Sequence, residues 1–465
     1  MLTNHTPSPA LTYDGIDGTD AVFGVIVCRQ TYEWNDKGLL VLSKTQDPLC
    51  FTDELVDDAD MMKGVRQESD LCEYKPKCDV LVLGSAYAPN GVPTQSFVAK
   101  LMVTTPDSYV FFDAINAPSD KDGETIDAHK LRQKQILETL SQKRYTLKQG
   151  VPLIDKTLAF LGVQSLKRTV LGDYEPSKIT PVSKVSLDTT NGYGGFVYIP
   201  QNHPESDHIP KDKQLSFDPN TQKILNADSP VLYYNQCNHN PYGKGFIDKT
   251  TLNIIKPEMI ALPQIANPKY LFSQSLFQKQ IANQLSKEEQ DLLSVGFGIR
   301  PKTHPDRAKL VGIIDDNFIQ GDELLPDGFD FAVWNASYPD QQCDYLKGNE
   351  WLTLVNLCKS TAKAARLDNE GNCHLKLYLP ENTLIAYVEW DDGQISEIPL
   401  KIDTLIIRPD DGKVNMVWRI ALDKTERQPT NINLVMLDKK TKDDTIAKHF
   451  TQKGTIVRPY EENGI

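Results

Sequence analysis

Proline and glycine interrupt this chain so often that long helices have little room to form. There are 29 prolines and 27 glycines in 465 residues, and most intervals between them suit strands of about five or six residues. Within those intervals apolar and polar residues alternate. In SFVAKLMV, Phe97, Ala99, Leu101 and Val103 fall on one side; the same period of two aligns Leu375, Leu377 and Leu379 in LKLYL, and Val414, Met416 and Trp418 in VNMVWR. Continuous apolar runs occur at Val22–Val27 and Val80–Leu83. Alternation of this kind describes half-buried antiparallel sheet. The expected fold is therefore mainly β: two antiparallel β-sandwich-like units with a few short helices.

Two stretches break the alternation. Between Gly123 and Gln149, Ile126, Ile136, Leu137 and Leu140 sit among Lys130, Arg132, Lys134, Lys143 and Arg144, which reads as a helix with one basic face. Between Ser273 and Leu293, Phe277, Ile281 and Leu285 recur at helical spacing, and Ser286 with Glu289 makes a capping-box spacing ahead of Leu292 and Leu293, so two short helices are expected. The polar, proline-rich residues from Pro200 to Pro230 carry almost no periodic apolar face and read as a long exposed loop. The chain then divides into a β-rich unit over 1–180, a second over 181–423, and a charged tail over 424–465.

Fifty basic against 63 acidic residues give a net charge of −13, opposite to the basic footprint that nucleic-acid backbones require. No apolar run reaches the roughly 18 to 20 residues of a membrane span, and the first residues lack the pattern of a secretory signal. A cytoplasmic protein with neither nucleic-acid nor membrane partners is expected. The eight cysteines, Cys28, Cys50, Cys72, Cys78, Cys237, Cys343, Cys358 and Cys373, are scattered without a CxxC. Cys72 and Cys78 are six residues apart, but no second pair lies at ligand spacing, so reduced and mostly buried thiols are expected.

Motifs with a mechanism behind them are missing: there is no GxxxxGK[ST], no HExxH and no GxSxG. In NPYGKGF (Asn240–Phe246), Gly243 and Gly245 around Lys244 could bring backbone amides to an anion, yet Asn-Pro followed by two glycines is first of all a turn. Acidic residues cluster in DELVDDAD (Asp53–Asp60) and in DDNFIQGDELLPDGFD (Asp315–Asp330). These are solvated loop carboxylates, a partner-facing patch, or a hydrolase pair or hard-cation site, in that order. His203, His208, His239 and His304 lie in polar loops and read as solvated imidazoles. Alternation sends the Trp418 indole inward and the Arg419 guanidinium outward, to the surface or toward a loop carboxylate or a partner. No catalytic residue, cofactor or metal ligand is expected.

Several strings acquire meaning from their order. SDLCEYKPKCDVLVLGSAYAP (Ser69–Pro89) contains Lys75, Pro76, Asp79, Gly84, Tyr87 and Pro89; VSLDTTNGYGGF (Val185–Phe196) contains Gly194 and Gly195. NPYGKGF follows with Asn240, Pro241, Gly243 and Gly245, then LPQIANP (Leu262–Pro268). Next come LLPDGFDFAVWNASYPDQQ (Leu324–Gln342) with Asp340 and Gln341, LYLP (Leu377–Pro380), and DTLIIRPDDGKVNMVWR (Asp403–Arg419) with Trp418.

In this order they resemble a domain-of-unknown-function family encoded beside bacterial type VI secretion genes. The resemblance implies an adaptor or chaperone that binds a toxic effector, often one with a PAAR spike-tip domain, and helps load it onto the VgrG spike. Two departures bear on partner contacts: the usual Gly-Thr-Tyr-Asp is here Gly312, Ile313, Ile314, Asp315, and the usual Glu-Arg-Ala is replaced within Asp188 to Tyr193. On this reading the first β unit and the loop Asp315 to Gln342 hold the effector. Asp322, Glu323 and Asp327 supply charge, and Phe329, Phe331, Trp334 and Tyr338 supply rings that are otherwise core. A carboxylate-based hydrolase of sugar polymers and an exported structural spike component compete with it.

Overall fold

The alternating strings become strands of three large sheets around a shared core. The computed structural model describes residues 1–17, 21–60, 63–110, 146–200, 202–209, 231–321 and 323–437, with the short stretches 127–128, 130–132, 134, 211 and 456–457. In the strand Ser96–Thr104, Phe97, Ala99, Leu101 and Val103 are buried while Val98 stands in solvent. Leu375 and Leu377 are likewise buried in Cys373–Tyr378. The protein is mainly β, with few and short helices.

The largest sheet runs Ala10–Ile16, Val22–Trp34, Lys413–Asp423, Lys401–Arg408, Cys78–Val82 and Gln342–Cys343, with Leu40–Leu42 also paired to Val22–Trp34. Its neighbours are antiparallel except Lys401–Arg408 and Cys78–Val82, which run parallel with Leu405 opposite Val80. A six-stranded sheet runs Ile265–Ala266, Pro152–Leu161, Ser96–Thr104, Trp351–Val355, Cys373–Tyr378 and Arg366–Leu367. The third orders Leu2–Asn4, Pro429–Leu437, Thr383–Trp390, Ile395–Pro399 and Ile456–Val457. Ile26, Val80 and Met416 from the first, Leu101 and Leu375 from the second, and Leu384 and Leu434 from the third join one apolar cluster.

Strands from either side of residue 180 pair with one another. Val22–Trp34 pairs with Lys413–Asp423, and Ser96–Thr104 with Trp351–Val355, so the two expected units share their sheets and their core. Pro429–Leu437 buries Ile432, Leu434 and Val435 and pairs with Thr383–Trp390; the charges of Lys424, Glu426 and Arg427 belong to the connection before it. Residues 438–455 and 458–465 lie outside the described residues.

The helices expected between Ser273 and Leu293 are Gln274–Ile281 and Lys287–Leu293. Ser273 caps the first by accepting from the Leu276 amide, and Ser286 and Glu289 exchange the reciprocal bonds of a capping box on the second. Phe277 packs with Leu166, Tyr174, Ile260 and Leu262 in a satellite core. The helix expected between Gly123 and Gln149 lies largely outside the described residues, as does most of the loop from Pro200 to Pro230. All eight cysteines are buried. Among the described residues no helix is long and apolar enough to cross a membrane.

The two glycine-rich strings meet each other. Tyr193–Gly194 pairs in parallel with Lys244–Gly245, and the Asn240 side chain donates to the carbonyls of Thr189 at 2.8 Å and Tyr193 at 3.1 Å. NPYGKGF is thus a turn, with Pro241 buried and the Lys244 ammonium bonded to Asn191 at 2.8 Å. Gly194 has φ 145, and a Cβ there would lie 1.9 Å from the Asn240 carbonyl oxygen. At Gly245 the nearest atom would be Pro263 Cδ at 3.3 Å. Gly194→Ala is therefore expected to lower the unfolding free energy by about 3 kcal/mol, and Gly245→Ala by about 1 kcal/mol. Urea denaturation of the two variants checks this; equal losses would refute the close approach as the cause.

Candidate functional site

The motif residues of Ser69–Pro89 and Leu324–Gln342 lock to one another inside the protein. Asp79, on the strand Cys78–Val82, is fully buried. Its carboxylate accepts from Lys75 Nζ at 2.9 Å, from the amides of Ala336 and Ser337 at 3.0 and 3.1 Å, and from the Ser337 hydroxyl at 2.7 Å. Burial pushes this carboxyl up, but the Lys75 ammonium and the hydrogen bonds outweigh it and hold it below the usual range. Gln341, also fully buried, donates to the carbonyls of Val80 and Phe297 at 2.8 Å each and accepts from Lys156 Nζ at 2.8 Å. Burial brings Lys156 down to about 8, opposed by Asp340 at 2.8 Å. Elsewhere Tyr87 donates to Asp410 at 2.6 Å beside Gly84, Pro89 opens a 3-10 turn, and Trp418 lies in the main core. Pro76 is half-buried and Gly195 and Gly243 sit in the paired turns.

The segment after His304 is stapled down by Arg307, a residue that sequence reading passed over. Its guanidinium is fully buried, makes two 2.6 Å bonds to the Glu68 carboxylate, and donates at 2.8 Å to the carbonyls of Val333 and Arg300. From that anchor the chain turns outward. Asp315 caps the short helix Asp316–Gln320 by accepting from Asn317 and Phe318, and Gly321 ends it in the left-handed region. Ile313, Ile314, Ile319 and Leu324 are 64%, 58%, 69% and 54% exposed, so this one segment sets four large apolar side chains in solvent. Asp327 is exposed and Glu323 half-buried, while Asp322 lies outside the described residues.

Of the aromatics expected at this face, Phe329, Phe331 and Trp334 are half-buried. Phe331 meets Phe329 edge-on at 5.3 Å, Tyr74 at 6.1 Å and Phe23 at 6.4 Å, and Phe329 lies 6.4 Å from Trp334. Tyr338 is buried instead, with Lys156 Nζ 4.4 Å above its ring. Arg419 is not a surface residue. It is 4% exposed, paired with Asp403 at 2.6 Å and bonded to Tyr13 Oη at 2.9 Å and the Cys72 carbonyl at 2.7 Å. The second face of its strand is covered by Leu49, Asp70, Leu71 and Cys72, of which Asp70 pairs with Arg29 and Leu49 packs on Val27 and Val417.

The acidic runs divide into local tasks. Asp53 accepts from Ser69 and Lys302, Asp57 pairs with Lys63, and Asp315 and Asp330 cap helical turns. A cleft of about 260 Å³ is lined by Arg168, Asp173, Tyr174, Lys256 and Phe277 among others, and Asp173 is the one carboxylate of its lining. Two-carboxylate hydrolysis needs a pair about 5 to 9.5 Å apart across such a space.

Two histidines expected in solvent are buried instead. His239 follows the strand Val231–Gln236 and His304 precedes the helix Pro305–Ala308; each is 4% exposed, because these polar loops fold against the helix Lys287–Leu293. From that helix Asp291 Oδ1 comes within 3.1 Å of His239 Nε2 and 3.5 Å of His304 Nε2, and the rings are 4.7 Å apart. Burial lowers His239 against the pull of Asp291, and brings His304 down to about 3, with Arg300 and His239 adding to it. Both rings are neutral at pH 7. No spacing in the sequence announces this cluster, since its members come from three separate loops and helices.

A family model described as an uncharacterized protein conserved in bacteria matches residues 19–110 and 141–419. No curated protein and no solved structure matches the chain.

Proposed function

Because the chain belongs to this bacterial family, DUF2169, we propose that it is a cytoplasmic, non-enzymatic adaptor of type VI secretion. It binds a toxic effector bearing a PAAR domain, keeps it soluble, and aids its loading onto the VgrG spike. The ordered motifs from Ser69 to Arg419 support the class, and one structural observation carries the contact: the segment that exposes Ile313, Ile314, Ile319 and Leu324 beside Glu323 and Asp327 on a rigid base. Four large aliphatic side chains in water have a free-energy cost that a partner's apolar surface removes, at about 25 cal/mol per Å². The neighbouring carboxylates select a partner segment that is basic as well as apolar. The motif residues Lys75, Asp79 and Gln341 are buried and act by fixing the base of this segment.

Co-expression with the effector encoded next to it tests the reading. The effector's soluble level is expected to rise, and the pair to co-purify. Ile319→Asp with Leu324→Asp is expected to lower recovery of the effector about tenfold, without changing the adaptor's melting temperature, since both side chains are exposed. Glu323→Lys with Asp327→Lys is expected to weaken capture more at low than at high salt. Failure to capture any neighbouring effector in buffers that keep both proteins folded would overturn the proposal.

A further inference from the structure

We propose that His239, Asp291 and His304 bind one divalent transition-metal ion of the zinc class. The donor set has the right chemistry: two imidazoles and one carboxylate are ligands zinc accepts, leaving a fourth position for water. The spacing from Asp291 to each imidazole is near what this requires, and the two imidazoles would draw closer on binding. Zinc–ligand bonds of about 2.0 to 2.2 Å place neighbouring donors of a tetrahedron about 3.3 Å apart. The Asp291 oxygen lies 3.1 Å from one imidazole nitrogen and 3.5 Å from the other, and the three ligand atoms are all within 4.8 Å of one another.

The second observation is the state of the groups. His239 is 4% exposed, its Nδ1 has no hydrogen-bond partner among the described residues, and its Nε2 faces Asp291 Oδ1 at 3.1 Å without a well-aligned hydrogen bond. Buried polar atoms are rarely left in this state, because each forfeits its bonds to water without replacement. A cation at the centre of the three takes His239 Nε2 and Asp291 Oδ1 as ligands together with His304, and leaves His239 Nδ1 as it is. Lys287 pairs with Asp306 at 2.5 Å and Lys309 reaches the same carboxylate at 3.3 Å, while the Arg300 guanidinium, whose charge acts on His304, opposes the ion and is offset by the Asp291 carboxylate. Coordination through His304 Nε2 places the ring proton on Nδ1, so the long 3.3 Å bond that Nδ1 accepts from the Asp306 amide is given up. The ion ties the turn at His239, the helix Lys287–Leu293 and the start of the Arg307 segment into one unit.

The test uses tag-free full-length protein, stripped with a chelator and dialysed, with zinc and cobalt ions as probes. One equivalent of zinc is expected to bind and to raise the melting temperature. Cobalt is expected to give the visible absorption bands of a four-coordinate site, which zinc then displaces. His239→Ala and Asp291→Asn are each expected to weaken zinc binding about 100-fold or more. Asp291→Asn nearly preserves shape, so it remains a valid test if His239→Ala does not fold. Absence of stoichiometric binding by the unmutated protein, or binding that survives Asp291→Asn undiminished, overturns the proposal.

Discussion

Asp79→Ala is expected to lower the unfolding free energy by about 3 to 5 kcal/mol, the range for breaking a buried ion pair from one side. The substitution removes one carboxylate and strands several donors: the Lys75 ammonium, 7% exposed, keeps Thr404 Oγ1 at 2.9 Å, while the Ala336 and Ser337 amides lose their acceptor. Each buried donor left unmatched adds about 1 to 3 kcal/mol before relaxation. Replacing both partners, Lys75→Met with Asp79→Leu, is expected to cost less than the single change, because no charge is then left buried. The pH dependence has a definite sign. The folded-state pKa of Asp79 is lowered, so its stabilisation is complete above the unfolded value of about 3.9 and fades as pH falls through the folded one. Chemical denaturation should therefore separate wild type from Asp79→Ala most at pH 7 and progressively less below about pH 4. A single variant as stable as the double would refute this account.

Arg307→Ala is expected to cost a similar amount, about 3 to 5 kcal/mol, and to act where the proposed effector contact is built. Its fork holds Glu68 from one side of the fold and the Val333 and Arg300 carbonyls from the other. Without it Glu68 keeps a charge that is 10% exposed and unpaired. Arg307→Lys should recover little, since a lysine cannot give two parallel bonds to Glu68 and still reach both carbonyls. Hydrogen exchange provides the local readout: the amides of Ile313, bonded to Asp327, and Asp330, bonded to Leu310, should exchange faster in Arg307→Ala than amides of the strand Ser96–Thr104. Uniform acceleration across both regions would mean that Arg307 supports the whole core and not this segment in particular.

What was legible in the sequence depended on how far apart the cooperating residues lie. The capping box of Ser286 and Glu289 and the one-sided burial of Phe97, Ala99, Leu101 and Val103 are decided within a few residues, and each is present as read. Alternation correctly separated Trp418 from Arg419, but it could not tell that the second face was covered, because the cover comes from Leu49, Leu71 and Cys72 and the counter-charge from Asp403. The same limit hid the sharing of sheets across residue 180. At the candidate surface the acidic and aromatic residues were visible as a cluster, whereas the exposure of Ile313 and Ile314, the burial of Tyr338 and the Arg307 anchor depend on contacts with Glu68 and with the strand Cys78–Val82. His239, Asp291 and His304 were invisible for the same reason.

The largest sheet also sets a clock. Thr31 and Asn415 are hydrogen-bonded at 3.0 Å although 384 positions separate them, and their strands, Val22–Trp34 and Lys413–Asp423, are direct neighbours with these two residues in register. At roughly 5 to 20 residues per second, a ribosome needs about 20 to 80 s to make the second after the first. During that interval the early strand presents unpaired amides, carbonyls and the apolar run Val25–Val27 to the cell. Closure of so distant a pairing is slow in its own right. Slower synthesis lengthens the interval in which this strand edge stays open.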